Sequence, residues 1–451
     1  MARKLFRSWC LPFGLLLAVS SLLALPDAIA SGTVTRTVAD VERQSEDGFQ
    51  MDIGTAASYE QAAQRALPAP AAVALPTARP APTPRAAPAA VIQAARGFGV
   101  LQSSGRYGPN LKRAGLSLAT LELSWDSYQP GPGRFDEGYA AQQRQKADAL
   151  RSAGLGVVLD VGLQYAPSWL FARDPNAYYV NQYGDRYDSG PRGAQVGNGV
   201  FDPLVRQAQS DYIARVASDL GGSFVAIRVG GGWFGEAHYP PADYRGHSNS
   251  YWAYDANAVA GSPVRGWRPG QPSVEQAQAF WSYYTGKLSD YLQWQVSTYR
   301  SHFPSSSLEI LYPGWGVRPG EAAVAVAGLL NGRTPSEANG EMQQGNDYAA
   351  TLSALRDPGL IPYSTWLEAP DKGPTPQTVS PIRYLQELAA PRGLQIAGEN
   401  SDGGRSEASM RLCIQRVRTI PGMLGMMWLA EPDLVQGGQR ALGTYGQLIR
   451  S

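Results

Sequence analysis

Between Arg96 and the C-terminus, short apolar runs alternate with longer amphipathic stretches, and no other feature of the sequence constrains the fold as tightly. The apolar runs are Phe98–Leu101, Leu118–Leu123, Val157–Val161, Phe224–Val229, Leu308–Tyr312, Ile361–Leu367, Leu394–Ala397 and Met423–Leu429. Helical periodicity fills the gaps over Tyr139–Ala153, Leu204–Leu220, Val274–His302, Tyr348–Leu355, Pro381–Ala390 and Ser406–Thr419. Strands alternating with helices imply parallel β-α units, because the chain crosses back over the sheet between strands. Eight such runs suffice to close a barrel. An open doubly wound sheet is the competing arrangement, but its G-x-G-x-x-G turn does not follow the first run. The expectation is an α/β fold, a (β/α)8 TIM barrel formed as a single domain over residues 96–451.

The N-terminal part has a different texture. Arg3, Lys4 and Arg7 precede a largely apolar stretch from Leu11 to Leu25, and Ala28-Ile29-Ala30 is an A-x-A cleavage pattern. This is the layout of a secretory signal peptide over 1–30, so a secreted protein, extracellular or periplasmic, is expected. Membrane contact is expected only through that segment, if it stays uncleaved. Residues 31–95 include the Ala/Pro-rich run Leu67–Ala95, a composition that favours a disordered, extended linker over a packed core. Cleavage after Ala30 leaves Cys413 as the only cysteine, which rules out an internal disulfide and a cysteine-based zinc site. Cys413 then reads as a small buried hydrophobe on a helix. With only three His and no spaced acidic loop, no metal and no cofactor is expected. The formal net charge is +1, which gives no basis for expecting nucleic acid as a partner.

In a barrel of this kind, reactive side chains gather where the strands end at their C-terminal edge. The second run leads into Trp125 and the third into Asp160, Gln164 and Trp169. The fourth leads through a glycine-rich stretch to Trp233 and Glu236, the fifth to Trp315 and the sixth to Trp366. The seventh ends at Glu399-Asn400 and the eighth at Trp428. Sugar rings present apolar C–H faces that stack on aromatic rings, and hydroxyls that need polar partners. A rim of tryptophans interspersed with Asp160, Gln164 and Arg228 suits such a ligand, whereas a rigid aromatic collar closing the barrel top is the alternative. An oligo- or polysaccharide is the expected partner.

Glu236 and Glu399 stand at the fourth and seventh strand ends, both preceded by Gly. Strands so placed face one another across part of an eight-stranded barrel. Glycoside cleavage needs one protonated carboxyl and one ionised carboxylate flanking the same bond. A rim salt bridge with Arg228, Arg245 or Arg405 is the structural alternative for either Glu alone. His238, two residues past Glu236, can touch Glu236 or a bound sugar, or serve as a loop hydrogen-bonding residue.

These residues carry a resemblance. Trp125 with Tyr128-Gln129-Pro130 and Gly133-Arg134-Phe135-Asp136 resembles the segment after the second strand of family 42 and family 35 β-galactosidases. Gly154–Leu159 resembles their third strand, and Ala166-Pro167-Ser168-Trp169-Leu170 resembles the loop after it. The resemblance is specific for the clan of retaining barrel glycosidases and only suggestive of a family. It implies Glu236 as acid/base, Glu399 as nucleophile and Trp428 as the aromatic of the eighth strand. The clan's Asn before the acid/base, which binds the sugar 2-hydroxyl, is replaced here by Gly235; Asn400, Gln164 and Arg228 are the candidate substitutes. Gly235-Glu236-Ala237-His238-Tyr239-Pro240 is similar instead to the segment around the acid of β-amylases, which invert. The expected function is a secreted glycoside hydrolase, β-galactosidase-like, cleaving β-linked O-glycosides with retention. An inverting β-amylase-like hydrolase and a non-catalytic carbohydrate-binding barrel at the cell surface stay open as alternatives.

Overall fold

One strand forms in each of the eight apolar runs: β1 (Gly97–Val100), β2 (Leu118–Glu122), β3 (Gly156–Asp160), β4 (Ala226–Val229), β5 (Ser307–Tyr312), β6 (Leu360–Ser364), β7 (Ile396–Glu399) and β8 (Met423–Trp428). All are parallel, and they pair in sequence order into a closed barrel, β8 returning to β1. This computed structural model describes residues 96–188, 195–221, 223–330, 341–436 and 440–451, all within the unit Thr55–Ser451. The expected leader at 1–30 and linker at 31–95 lie outside the described residues, as does a short part of the insert at 171–200.

The helices follow the strands: α1 (Gly108–Ala114), α2 (Glu137–Ser152), α3 (Pro203–Leu220), α4 (Val274–His302), α5 (Tyr348–Ala354), α6 (Pro381–Ala389), α7 (Glu407–Thr419) and α8 (Arg440–Arg450). Side-chain caps start most of them. The Asp202 carboxylate accepts from the Leu204 and Val205 amides at the head of α3, and Ser406 accepts from Ser409 N at the head of α7. Each satisfies backbone donors that the first helical turn leaves unpaired. Helices α1 and α8, which the apolar pattern did not mark, are short and lie against each other beside the β8–β1 closure. Cys413 is buried on α7, as its apolar neighbours require.

Alternation along each strand separates two cores. Leu118, Val158, Ala226, Leu311, Tyr363, Ala397 and Leu424 point inward and plug the barrel. Val157, Leu159, Ile227, Val229, Leu308 and Ile310 point outward beneath the helices. The same parity carries Asp160, Arg228 and Glu399 into the barrel mouth above the plug. At closure the backbones approach closely: a Cβ at Gly425 would lie 1.8 Å from the Gly97 carbonyl oxygen. Beside it the β7–β8 register shifts, with Ile396 opposite Met423 but Gly398 opposite Met426. Strand β8 therefore carries one extra residue, a bulge that inverts the facing of its last residues. Met427 points inward and Trp428 outward.

Candidate active site

A cavity of about 820 Å³ opens at the C-terminal ends of the strands. Glu236 and Glu399 both line it, together with Asp160, Gln164, Arg228, Trp233, His238, Trp366 and Asn400. A second cavity of about 400 Å³ adjoins it over β1 and β2, sharing Gln102, Glu122 and Tyr165 as a common wall.

Glu399 is the last residue of β7 and is buried. Its Oε2 accepts from Arg228 Nη1 at 2.8 Å. Arg228 belongs to β4, is itself buried, and also reaches Asp160 of β3 at 3.7 Å. Its guanidinium lies 5.1 Å from the Tyr363 ring centre on β6. The guanidinium has only donors to offer, so the oxygen facing it acts as an acceptor, as an ionised carboxylate does. The other two candidate arginines pair elsewhere. Arg245 bonds Asp188, and Arg405 bonds Asp402 and Asp433.

Glu236 is not on β4 itself. The strand ends at Val229, and the chain makes a detour through Gly230–Gly235 before Glu236 rejoins the sheet edge. Two backbone bonds close that detour, Gly231 N to Gly235 O and Gly232 N to Glu236 O, both 2.9 Å. Ala237 N then donates to Leu311 O of β5 at 2.8 Å, which fixes Glu236 over the mouth. Gly235 has φ +82°, and a Cβ there would lie 3.2 Å from Gln164 Nε2. Glycine enters this left-handed region without a steric penalty, and any side chain here would press on the Gln164 amide.

His238 settles the protons around Glu236. Its Nδ1 lies 2.5 Å from the Tyr239 carbonyl oxygen, so Nδ1 carries a hydrogen and donates it. Its Nε2 lies 2.9 Å from Glu236 Oε2. A hydrogen bond there requires one proton between the two groups, either on the carboxyl or on the imidazole. The ring is almost wholly buried, so it has no water to turn to instead.

Several expected sugar contacts are placed otherwise. Trp125 is fully buried at the start of a short helix; it stacks on Tyr212 at 5.3 Å, and its N–H goes to Gln129 Oε1. Trp169 packs on the core and donates to the Gln129 carbonyl. The Trp315 ring has Arg318 at 4.3 Å and Lys372 at 4.5 Å from its centre, outside the cavity lining. Trp428 is turned out by the β8 bulge and packs on Tyr445 of α8 at 5.8 Å. Asn400 touches the cavity, but its amide is spent within the backbone: Nδ2 donates to the carbonyls of Ser401, Gly404 and Leu429, and Oδ1 accepts from Leu429 N. Of the tryptophans, Trp233 and Trp366 line the cavity.

Residues that the strand-end rule passed over also stand there. Glu122 accepts from the Tyr165 hydroxyl at 2.8 Å. Phe234 is exposed at the mouth. Glu309, on β5 opposite Arg228, is buried just below, and burial pushes its carboxyl up to about 7, Arg228 opposing and Glu399 adding to the rise. An acidic residue inside an apolar strand run was the available signal for both Glu122 and Glu309.

The same barrel is seen in solved glycoside hydrolases. The catalytic domain of β-amylase from Paenibacillus polymyxa superposes with a TM-score of 0.58 at 18% identity, covering 80% of this chain and 99% of that one. A β-galactosidase from the Antarctic haloarchaeon Halorubrum lacusprofundi superposes with a TM-score of 0.50 at 12% identity, covering 78% of this chain. This chain spans 57% of the length of the latter. No protein-family model matches the chain, and no curated protein matches it. At such identities the likeness establishes the (β/α)8 barrel fold.

Proposed function

We propose that this protein is a glycoside hydrolase that cleaves O-glycosidic bonds with Glu236 as general acid/base and Glu399 as nucleophile. The observation that carries the reading is one cavity holding two carboxyls in opposite settings. Glu399 faces a guanidinium at 2.8 Å, and Glu236 shares a proton with His238 at 2.9 Å. One is prepared as an anion and the other has a proton at hand, which is the asymmetry glycoside cleavage requires. In the first step Glu236 gives its proton to the leaving glycosidic oxygen while Glu399 attacks the anomeric carbon. The C–O bond to the leaving group breaks as the glycosyl ester forms. In the second step Glu236 takes a proton from water, the hydroxide oxygen adds to the anomeric carbon, and Glu399 departs. Gln164, beside Gly235, is the amide best placed to serve in the place of the missing Asn.

The solved barrels fix the fold alone, so the substrate is proposed from motif likeness: a β-linked glycoside, galactoside first. The similarity of Gly235–Pro240 to the β-amylase segment keeps inversion as the second reading. A panel of aryl β- and α-glycosides, with the product anomer followed by NMR, tests both. We expect hydrolysis with retention, and a loss of at least about 10³-fold in kcat for Glu399→Ala. Hydrolysis that survives Glu399→Ala refutes the nucleophile. Tight oligosaccharide binding without turnover in the wild type would favour a binding barrel instead. Export is also proposed, on the leader pattern, and a mature N-terminus at Ser31 in the secreted protein tests it.

A further inference from the structure

Phe234 breaks two rules at once. It is a large apolar side chain left 60% exposed, and its backbone sits at φ 58°. The left-handed region is costly for a residue with a bulky side chain, and such strain gathers where the surrounding structure needs a side chain aimed. Here the aim is the cavity, which both Phe234 and Trp233 line. The Phe234 ring lies against that of Trp233, with centres 4.4 Å apart and planes 41° apart. Trp233 is held behind it: it packs on the hydrophobic core, and the His238 ring meets it edge-on at 6.1 Å. An exposed ring braced by a fixed one is a rigid apolar surface, and water gains nothing from it.

We propose that Phe234, backed by Trp233, is an aromatic platform on which a pyranose unit of the substrate stacks next to the bond being cleaved. The ring face is electron-rich and the axial C–H groups of a pyranose are weakly positive, so contact both removes apolar area from water and aligns the charges. The platform stands two residues before Glu236, and its loop is bonded to the Glu236 carbonyl through Gly232 N at 2.9 Å. A sugar seated on Phe234 is thereby indexed to the acid. This rests on the glycoside hydrolase reading and deepens it: the substrate is a pyranoside with an uninterrupted apolar face turned to the loop after β4.

The test separates binding from stability, because the strain makes them move in opposite directions. Phe234→Gly removes the ring and also relieves the left-handed backbone. Kinetics are measured with 4-nitrophenyl β-D-galactopyranoside, 4-nitrophenyl β-D-glucopyranoside, lactose and cellobiose, and Tm by calorimetry. We expect KM to rise about tenfold in Phe234→Gly, with Tm unchanged or higher. Phe234→Leu, which keeps apolar bulk but has no ring face, should show the same rise, and Phe234→Trp should keep KM near wild type. A wild-type KM in Phe234→Gly or in Phe234→Leu overturns the platform. So does a Phe234→Gly protein whose KM and Tm are both damaged while Phe234→Trp is equally impaired. If the wild type cleaves none of these sugars nor the wider aryl glycoside panel, the glycoside hydrolase reading itself falls.

Discussion

At the scale of single residues, the site turns on what stands beside each carboxyl. Gly235 is the departure that matters most: its φ is left-handed, and the Gln164 amide lies 3.2 Å from where a Cβ would stand. Under the proposed function, the Gln164 amide on the loop after β3 takes over the contact that an Asn would have made. Gln164→Ala should therefore lower kcat/KM about tenfold on any glycoside that is turned over, without lowering Tm by more than a degree or two. His238 belongs to the same scale. Phe at position 238 fills the space but cannot hold the proton that Glu236 shares. We expect His238→Phe to reduce kcat about ten- to a hundredfold with KM within threefold, measured by steady-state kinetics.

At the scale of elements, the decisive feature is how β8 meets its neighbours. Its extra residue explains why Met427 joins the inner core and Trp428 the outer one. Closure depends on a glycine contact: Gly425 leaves no room for a methyl group, since the Gly97 carbonyl lies 1.8 Å from where it would be. Gly425→Ala should destabilise the protein by about 3 kcal/mol or more, or prevent closure, because both partners are backbone. Gly286, inside α4, has nothing within 4 Å of its missing Cβ. Gly286→Ala should stabilise by about 0.5–1 kcal/mol through helix entropy alone. Urea unfolding of the pair checks both signs.

For the whole molecule, the charge buried in the barrel mouth sets a pH dependence. Asp160, Glu399 and Glu309 all face the one guanidinium of Arg228. Burial pushes the Glu309 carboxyl, one oxygen of which has no partner, up to about 7; Arg228 opposes the rise and Glu399 adds to it. A carboxyl with a raised folded-state value binds its proton more tightly in the folded protein than in the unfolded one. Stability is then full below the unfolded value of about 4.5 and declines as pH rises through about 7. Glu309→Gln should flatten that decline and leave the protein more stable than wild type at pH 8, by on the order of 2–3 kcal/mol. Thermal unfolding of both proteins across pH 4.5–8 decides it.

The barrel itself was legible in the amino-acid order. Each strand is a local apolar run, each major helix a local 3.6-residue pattern, and their alternation admits few topologies. The strand-end rule likewise brought Glu236, Glu399, Asp160, Arg228 and Gln164 to one mouth. What could not be read was which way a side chain turns once there. Trp428 faces outward because of a bulge set by pairing with β7, and Asn400 is tied both to its own loop, at Ser401 and Gly404, and to Leu429 at the distant β8 end. Trp125 and Trp315 are claimed by Tyr212, Arg318 and Lys372, and Phe234 is exposed only because a glycine detour bends back on itself. Local sequence thus determined the elements and the edge of the barrel where chemistry gathers. Register and long-range packing, which depend on residues far apart in the chain, decided which of those side chains reach the cavity.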